Sequence, residues 1–304
     1  MPLPPPPAGD RKPLISFNTT NYNTAPITRQ SLESVLAAVR GLDYELVCTD
    51  NFSDDGSWEV LSEYRDRGYP FTLVRMRCGR GLGRRVALQR TRGDIVVMFD
   101  LDTVYNEDWQ RLFRWYLENR PPYALIATYS GFYPKAALDA VDGWRDFQYW
   151  EDVDLWIRLA VKGLWRTYPM QCGENFKRVP QGFQKKTPRL YAKMRDTVAV
   201  TKWIPFRLYW KGYSRLFPWR KSLSRALYYR ALLLAAFLPG RYRRWRYCRR
   251  DYRPEAMLAP EWYVDLRLVT PDRLRPFLTR YDTREGVLQA AAEGDFRFLP
   301  GTYD

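Results

Sequence analysis

The chain has 304 residues, enough for one large domain or a domain with a substantial appendage, and its 46% hydrophobic and 16% aromatic content is that of a folded protein. It contains no histidine, which excludes His-based triads, HExxH zinc sites and imidazole bases, and leaves carboxylates to carry any acid/base or metal chemistry. The formal net charge of +15 is concentrated: from Arg195 to Arg253 there are sixteen Lys or Arg against two Asp, +14 in all, while the rest of the chain is close to balanced.

Residues 1–13, "MPLPPPPAGDRKP", have no apolar run and are too rich in proline to pack, so they read as a disordered lead and not as a signal peptide. A strand is predicted at 14–18, "LISFN", followed by a helix in which Ile27, Leu32, Val35, Leu36 and Val39 recur at helical spacing before Gly41. Then come a strand at 44–50, a helix from Ser57 to Tyr64, a strand at 71–76, a short helix from Arg84 to Thr91 and a strand at 95–99. Strand and helix in strict turn predict an α/β fold with a parallel sheet covered on both faces. The four cysteines, Cys48, Cys78, Cys172 and Cys248, match neither a zinc spacing nor a dense disulfide framework, which points to a reduced, cytosolic compartment.

In such sheets ligands bind beyond the carboxyl ends of the strands. The segments there are "TTNYN" (19–23), "DNFSDDGS" (50–57), "CGRGLGRR" (78–85) and "DLD" (100–102). Together they suit a nucleoside diphosphate with a divalent metal: amide and carboxylate for base and ribose, a Gly-rich basic loop for phosphate, aspartates for the ion. Each has a plainer reading alone. "GLG" suits a turn, "DNFSDDGS" suits a helix cap, and a second Asp-x-Asp at Asp152 and Asp154 shows how easily that triplet arises. Acids at 151–154 also complement a helix N-terminus, where Asp154 can pair with Arg158.

Taken in order, "ISFNTTNYN", "LVCTDNFSDDGS", "RGLGRRVAL" and "GDIVVMFDLDTVYNEDW" resemble the donor half of family-2 glycosyltransferases of the GT-A fold. The stretch "GWRDFQYWEDVDLWIRLAVKG" (143–163) resembles that family's acceptor-side motif, in which Glu-Asp opens a helix. The resemblance covers roughly residues 14–165. It implies a Rossmann-like, mostly parallel sheet flanked by helices, and inverting transfer of a sugar from a nucleoside-diphosphate donor. It places Thr20 and Tyr22 in the nucleotide pocket, Asp50 and Asn51 at base and ribose, and Arg80 and Gly81 at the phosphates. Asp100, with Leu101, faces the ribose or the metal's water shell, and Asp102 binds Mg2+ or Mn2+. Asp152 becomes the general base with Glu151 beside it, and Trp144 and Trp150 lie on the acceptor side. With no histidine, the remaining metal ligands fall to water, phosphate oxygens or a side chain such as glutamine.

A base implies a hydroxyl acceptor, because a phosphate acceptor is already anionic. The resemblance thus implies a sugar acceptor, on a lipid carrier. "RGLGRR" is also similar to the GLG-type loop of dolichol-phosphate mannose synthases, which favours GDP-mannose over a UDP-sugar. A catalytic domain is expected over 14–194, with a donor half to about 105 and an acceptor half from about 106. The basic segment 195–253 and an extension at 254–304, with a short helix from Arg284 to Glu293, follow.

In "FRLYWKGYSRLF" Arg207, Lys211 and Arg215 recur every four residues among Phe206, Tyr209, Trp210, Tyr213 and Phe217, the pattern of an amphipathic helix in a membrane interface. "RYRRWRYCRRDYR" (241–253) has similar chemistry, and "RALYYRALLLAAFLPG" between them reads as a hydrophobic hairpin arm. No stretch reaches the roughly 18 apolar residues of a membrane span. An oligomer contact and a nucleic-acid surface are the other readings of this segment. The resemblance favours an anionic membrane, reached peripherally from the cytoplasmic face, over nucleic acid. Two other functions compete. A sugar-nucleotide nucleotidyltransferase would carry a Gly-rich, Arg-containing loop after its first strand, where this chain reads "NTTNYN". A non-catalytic nucleic-acid or membrane-binding protein would have no need of both carboxylate sets.

Overall fold

The computed structural model describes residues 14–127, 129–167, 172–176 and 196. Its first half alternates as the periodicity predicts: β1 (Ile15–Asn21), α1 (Ala25–Ala38), β2 (Tyr44–Asp50), α2 (Ser57–Asp66), β3 (Phe71–Arg75), α3 (Arg80–Gln89) and β4 (Ile95–Phe99). Then follow β5 (Thr103–Tyr105), α4 (Glu107–Asn119), β6 (Ala124–Ala127), β7 (Ser130–Pro134), α5 (Lys135–Asp139), α6 (Glu151–Val161), β8 (Trp165–Thr167) and β9 (Gly173–Asn175).

Seven strands form one sheet in the order β3-β2-β1-β4-β7-β6-β8, and β5 pairs with β9 in a separate ribbon. β3, β2, β1 and β4 are mutually parallel. The register sets Asn21, Asp50 and Arg75 side by side, so three strand ends finish level at one rim. β7 alone runs against its neighbours, antiparallel to β4 and to β6, while β8 is parallel to β6. The sheet is therefore mostly parallel, as expected, with one reversal. The link from β6 to β7 is hairpin-short, with Tyr129 in the left-handed region at φ 62°, and so tight a link joins only antiparallel strands.

Side chains alternate across the sheet and build two cores. Ile95, Val97 and Phe99 of β4 pack with Leu32, Leu36, Leu61, Trp109 and Phe113 from α1, α2 and α4. Val96 and Met98 of the same strand pack with Leu88, Leu138, Trp144, Leu155 and Leu159 on the other face. α4 starts where Asn106 accepts a hydrogen bond from the Trp109 amide (3.1 Å), with Glu107 and Asp108 in its first turn.

α3 differs from expectation. It begins at Arg80, one turn before the predicted Arg84, so "GLG" is the opening of a helix and not a loop. Glycine costs a helix about 1 kcal/mol against alanine, so a reason is needed. A Cβ on Gly81 would stand 2.7 Å from the Phe147 carbonyl oxygen and closer still to that of Arg145; one on Gly83 would stand 2.8 Å from Thr20 Cγ2. The glycines let α3 press against β1 and against the segment leading to α6. The lead 1–13, the basic helices and hairpin arm of 195–253 and the extension 254–304 lie outside the described residues, Asp196 excepted. Among the described residues no helix is long and apolar enough to cross a membrane.

Candidate active site

The rim carries the first three predicted segments. Asp50, expected at base and ribose, is fully buried. Its Oδ1 accepts from Asn21 Nδ2 (2.8 Å) and Ser53 Oγ (2.6 Å), and its Oδ2 accepts from the Ser53 amide (3.0 Å) and lies 3.5 Å from Arg75 Nε. A buried carboxylate must be satisfied internally, and this one is consumed in folding the loop behind it. Asn51 is half-buried; its amide donates to the Asn21 carbonyl (2.9 Å) and its Oδ1 accepts from the Cys78 amide (3.0 Å), which ties together the segments after β1, β2 and β3. Thr20, near the end of β1, and Tyr22, just after it, are half-buried. Phe52, passed over in the sequence, is 44% exposed in a left-handed conformation (φ 52°), with the guanidinium groups of Arg75 and Arg77 over its ring at 5.3 and 5.2 Å.

β4 delivers Asp100 and Asp102 across the buried Leu101. The turn is held from several sides: the Asp100 amide donates to Tyr105 Oη (2.9 Å), Tyr105 Oη donates to the Tyr129 carbonyl (2.7 Å), and the Phe176 amide donates to the Asp102 carbonyl (2.8 Å). The β5–β9 ribbon brings Asn175 alongside, with its Nδ2 2.9 Å from Asp102 Oδ1 and 2.9 Å from Thr103 Oγ1. Among the described residues no three His, Cys, Asp or Glu side chains gather as a metal cage. The two carboxylates are hard oxygen donors, a set that fits Mg2+ or Mn2+ sharing its shell with water and phosphate oxygens, and the Asn175 amide nitrogen orients one of them.

The acceptor-side motif lies at the N-terminus of α6. Trp150 caps the helix in a left-handed conformation (φ 65°), with no side-chain hydrogen bond to its first turn. The preceding loop is pinned by Asp196, whose Oδ2 accepts from the Gln148 (2.7 Å) and Tyr149 (3.0 Å) amides. Trp144, expected to line the acceptor side, is wholly buried edge-on against Tyr133 (5.4 Å), and only its Nε1 reaches the site, donating to Asp152 Oδ1 (3.0 Å). Asp154 is spoken for elsewhere, in buried pairs with Arg145 (3.0 Å) and Arg158 (2.7 Å). That separates the second Asp-x-Asp: Asp154 is structural, while the Asp152 side chain is 29% exposed.

Arg84, which sequence reading did not single out, joins the two carboxylate sets. Its Nη2 lies 3.1 Å from Asp100 Oδ1, its Nη1 2.9 Å from Glu151 Oε1, and Nη1 also contacts Asp152 Oδ1. Burial alone would lower its pKa; the charges of Asp152, Glu151 and Asp100 more than reverse that and raise it. Burial, reinforced by the Asp152 charge and opposed by Arg84 and Arg80, pushes the Glu151 carboxyl up to about 7. Arg80, one turn before Arg84, is 57% exposed and reaches Glu151 only at 3.5 Å. A signal for Arg84 existed, since it falls with Ala87 and Leu88 on the buried stripe of α3, where an arginine needs partners. Nothing in the sequence marked Asn175 or Asp196.

Comparison with known proteins agrees with this architecture. The family model described as Glycosyl transferase family 2 matches residues 16–168, half of the chain. A glycosyltransferase of Bacillus subtilis, YfnE, is 30% identical over 89 residues, 29% of this chain and 22% of that protein. The dolichol-phosphate mannosyltransferase of Pyrococcus furiosus is 29% identical over 90 residues, 29% of this chain and 25% of that protein. The matches thus span about a quarter of those relatives' length. Among solved structures, the mannosyltransferase PcManGT of Pyrobaculum calidifontis, in complex with GDP-Man and Mn2+, superposes with a TM-score of 0.51 at 17% identity, over 95% of this chain and 90% of that one, a likeness of fold. With its GT-A sheet and the family match over residues 16–168, the chain belongs to glycosyl transferase family 2.

Proposed function

We propose that the protein is an inverting glycosyltransferase that moves a sugar from a nucleoside diphosphate to a hydroxyl acceptor. The observation that carries this is the meeting of the strand-end pair Asp100 and Asp102 with the helix-start pair Glu151 and Asp152 around Arg84. Donor and acceptor chemistry need carboxylates of different kinds within reach of one anomeric carbon, and this arrangement supplies both. Asp152 takes the proton of the acceptor hydroxyl; the freed oxygen attacks the anomeric carbon from the face opposite the diphosphate, which leaves with the bonding pair. Trp144 fixes Asp152 Oδ1, so that Oδ2 is the oxygen turned to the acceptor. Asp102 and Asp100, with Asn175 beside them, are the residues to hold Mg2+ or Mn2+, which when bound neutralises charge on the leaving diphosphate. Asn51, Thr20 and Tyr22 line the nucleotide side, Phe52 offers a ring beside them, and the exposed Arg80 reaches toward phosphate.

GDP-mannose is the donor favoured, on the similarity of "RGLGRR" to the loop of dolichol-phosphate mannose synthases and on the match of 90 residues to a mannosyltransferase. The acceptor favoured is a lipid-linked glycan at an anionic membrane surface, on the basic and aromatic pattern of 195–253. The test is donor turnover with a panel of GDP- and UDP-sugars and Mn2+. Asp102→Asn is expected to abolish metal-dependent turnover, and Asp152→Asn to abolish transfer while sparing donor binding. Metal-dependent turnover surviving in Asp102→Asn would overturn the assignment.

A further inference from the structure

We propose that Arg84 is a positioning residue that makes the donor-side and acceptor-side carboxylates one electrostatic unit, so that cation binding at Asp100 and Asp102 is linked to the placement of Asp152. This rests on the reading of Asp152 as the base and of the strand-end pair as the cation site.

Arg84 joins residues 16 and 67 positions away along the chain, one at the end of β4 and the others at the start of α6. Its side chain is 4% exposed and both terminal nitrogens are engaged. A phosphate-binding arginine would present its fork to solvent, as Arg80 does. A purely structural ion pair would need one carboxylate, and here three surround one cation. With Asp102 and the neighbouring Arg80 included, four carboxylates face two guanidinium groups, so the site keeps excess negative charge even when Glu151 is protonated. A cation arriving at Asp100 competes with Arg84 for the same carboxylate, and whatever weakens one of those contacts changes the weight of Arg84 on Glu151 and Asp152. Such linkage is reciprocal. The planar guanidinium can span three partners in a fixed geometry, which an ammonium cannot. Glycine-tight packing of α3 holds its base still.

The experiment uses the full chain and two readouts: Mn2+ affinity by electron paramagnetic resonance, and kcat and donor KM for transfer. Arg84→Met removes a like charge and is expected to bind Mn2+ more tightly, yet to lose kcat on the order of a hundredfold, the cost of a base displaced by about an ångström. Arg84→Lys should keep the fold and near wild-type Mn2+ affinity while losing kcat about tenfold, with donor KM little changed. Asp152→Asn should weaken Mn2+ binding in the wild-type background, because the released guanidinium leans on Asp100, and by much less in the Arg84→Met background. Equal effects in both backgrounds would overturn the linkage, as would wild-type kcat in Arg84→Lys, or a raised donor KM at unchanged kcat. If Arg84→Met fails to fold, the neutral Arg84→Gln with and without Asp152→Asn closes the same cycle. A wild-type protein that binds Mn2+ but transfers no sugar defeats the proposed function alone, and the affinity cycle still decides the role of Arg84.

Discussion

Gly81 has no room for a side chain, because a Cβ there would meet the carbonyl oxygens of Arg145 and Phe147. Gly81→Ala is expected to force that segment away from α3 and to destabilise the protein by about 1–3 kcal/mol, the range for overpacking, measured as a shift in urea midpoint. Glu151 carries a pH signature. Its folded carboxyl sits at about 7 against the ordinary 4.5, so between those values the native state holds the extra proton. The contribution of Glu151 to stability is complete below about pH 4.5 and is lost as pH rises through about 7, on the order of 3 kcal/mol. Glu151→Gln should remove that slope, and the difference in denaturation free energy between wild type and variant across this window measures it. At this scale the sequence disclosed the residue types but not their partners. Asp50, Asp100 and Asp152 all look like acids beside a turn or helix start, and only three-dimensional partners separate a satisfied interior carboxylate from a half-open one.

The element that most needs its buried acid is the loop from β2 to α2. Asp50 holds it through Asn21, Ser53 and Arg75. Asp50→Asn exchanges acceptors for donors inside that cluster, and is expected to cost about 2 kcal/mol and to speed amide exchange at residues 51–56. A pure nucleotide contact would instead raise donor KM with stability unchanged. The strands and α1 were legible because apolar periodicity is set by burial, and β2 is buried along its whole length. The start of α3 was not, because glycine reads as a loop signal unless the backbone pressed against it is known. The reversal at β7 was equally hidden, since it depends on a short hairpin and on which neighbour β4 accepts. "IVVMF" reads as a strand and "DLD" as its acidic end, with the aspartates assigned to an ion. The fold adds Arg84, which lies 16 residues upstream of Asp100 and hydrogen-bonds it.

Over the whole molecule, charge and chemistry are segregated: the described α/β unit carries the carboxylate site, and the chain from Arg195 to Arg253 carries +14 of the +15. If that segment meets an anionic surface, the full chain should float with phosphatidylserine vesicles at low salt and be released as ionic strength shortens the screening length to about 8 Å near 0.15 M. Absence of binding at low salt would remove the membrane reading. Among the described residues, Asp196 ties the α/β unit to the chain downstream. Asp196 closes the loop before α6 across 48 residues. A ribosome delivers the chain from its N-terminus, so all seven strands of the main sheet and the β9 ribbon emerge before this carboxylate does. The rim formed by β1, β2 and β3 can be complete while Gln148 and Tyr149 still lack their acceptor. The loop before α6 is thus completed last, gaining its carboxylate only after every described strand has left the ribosome.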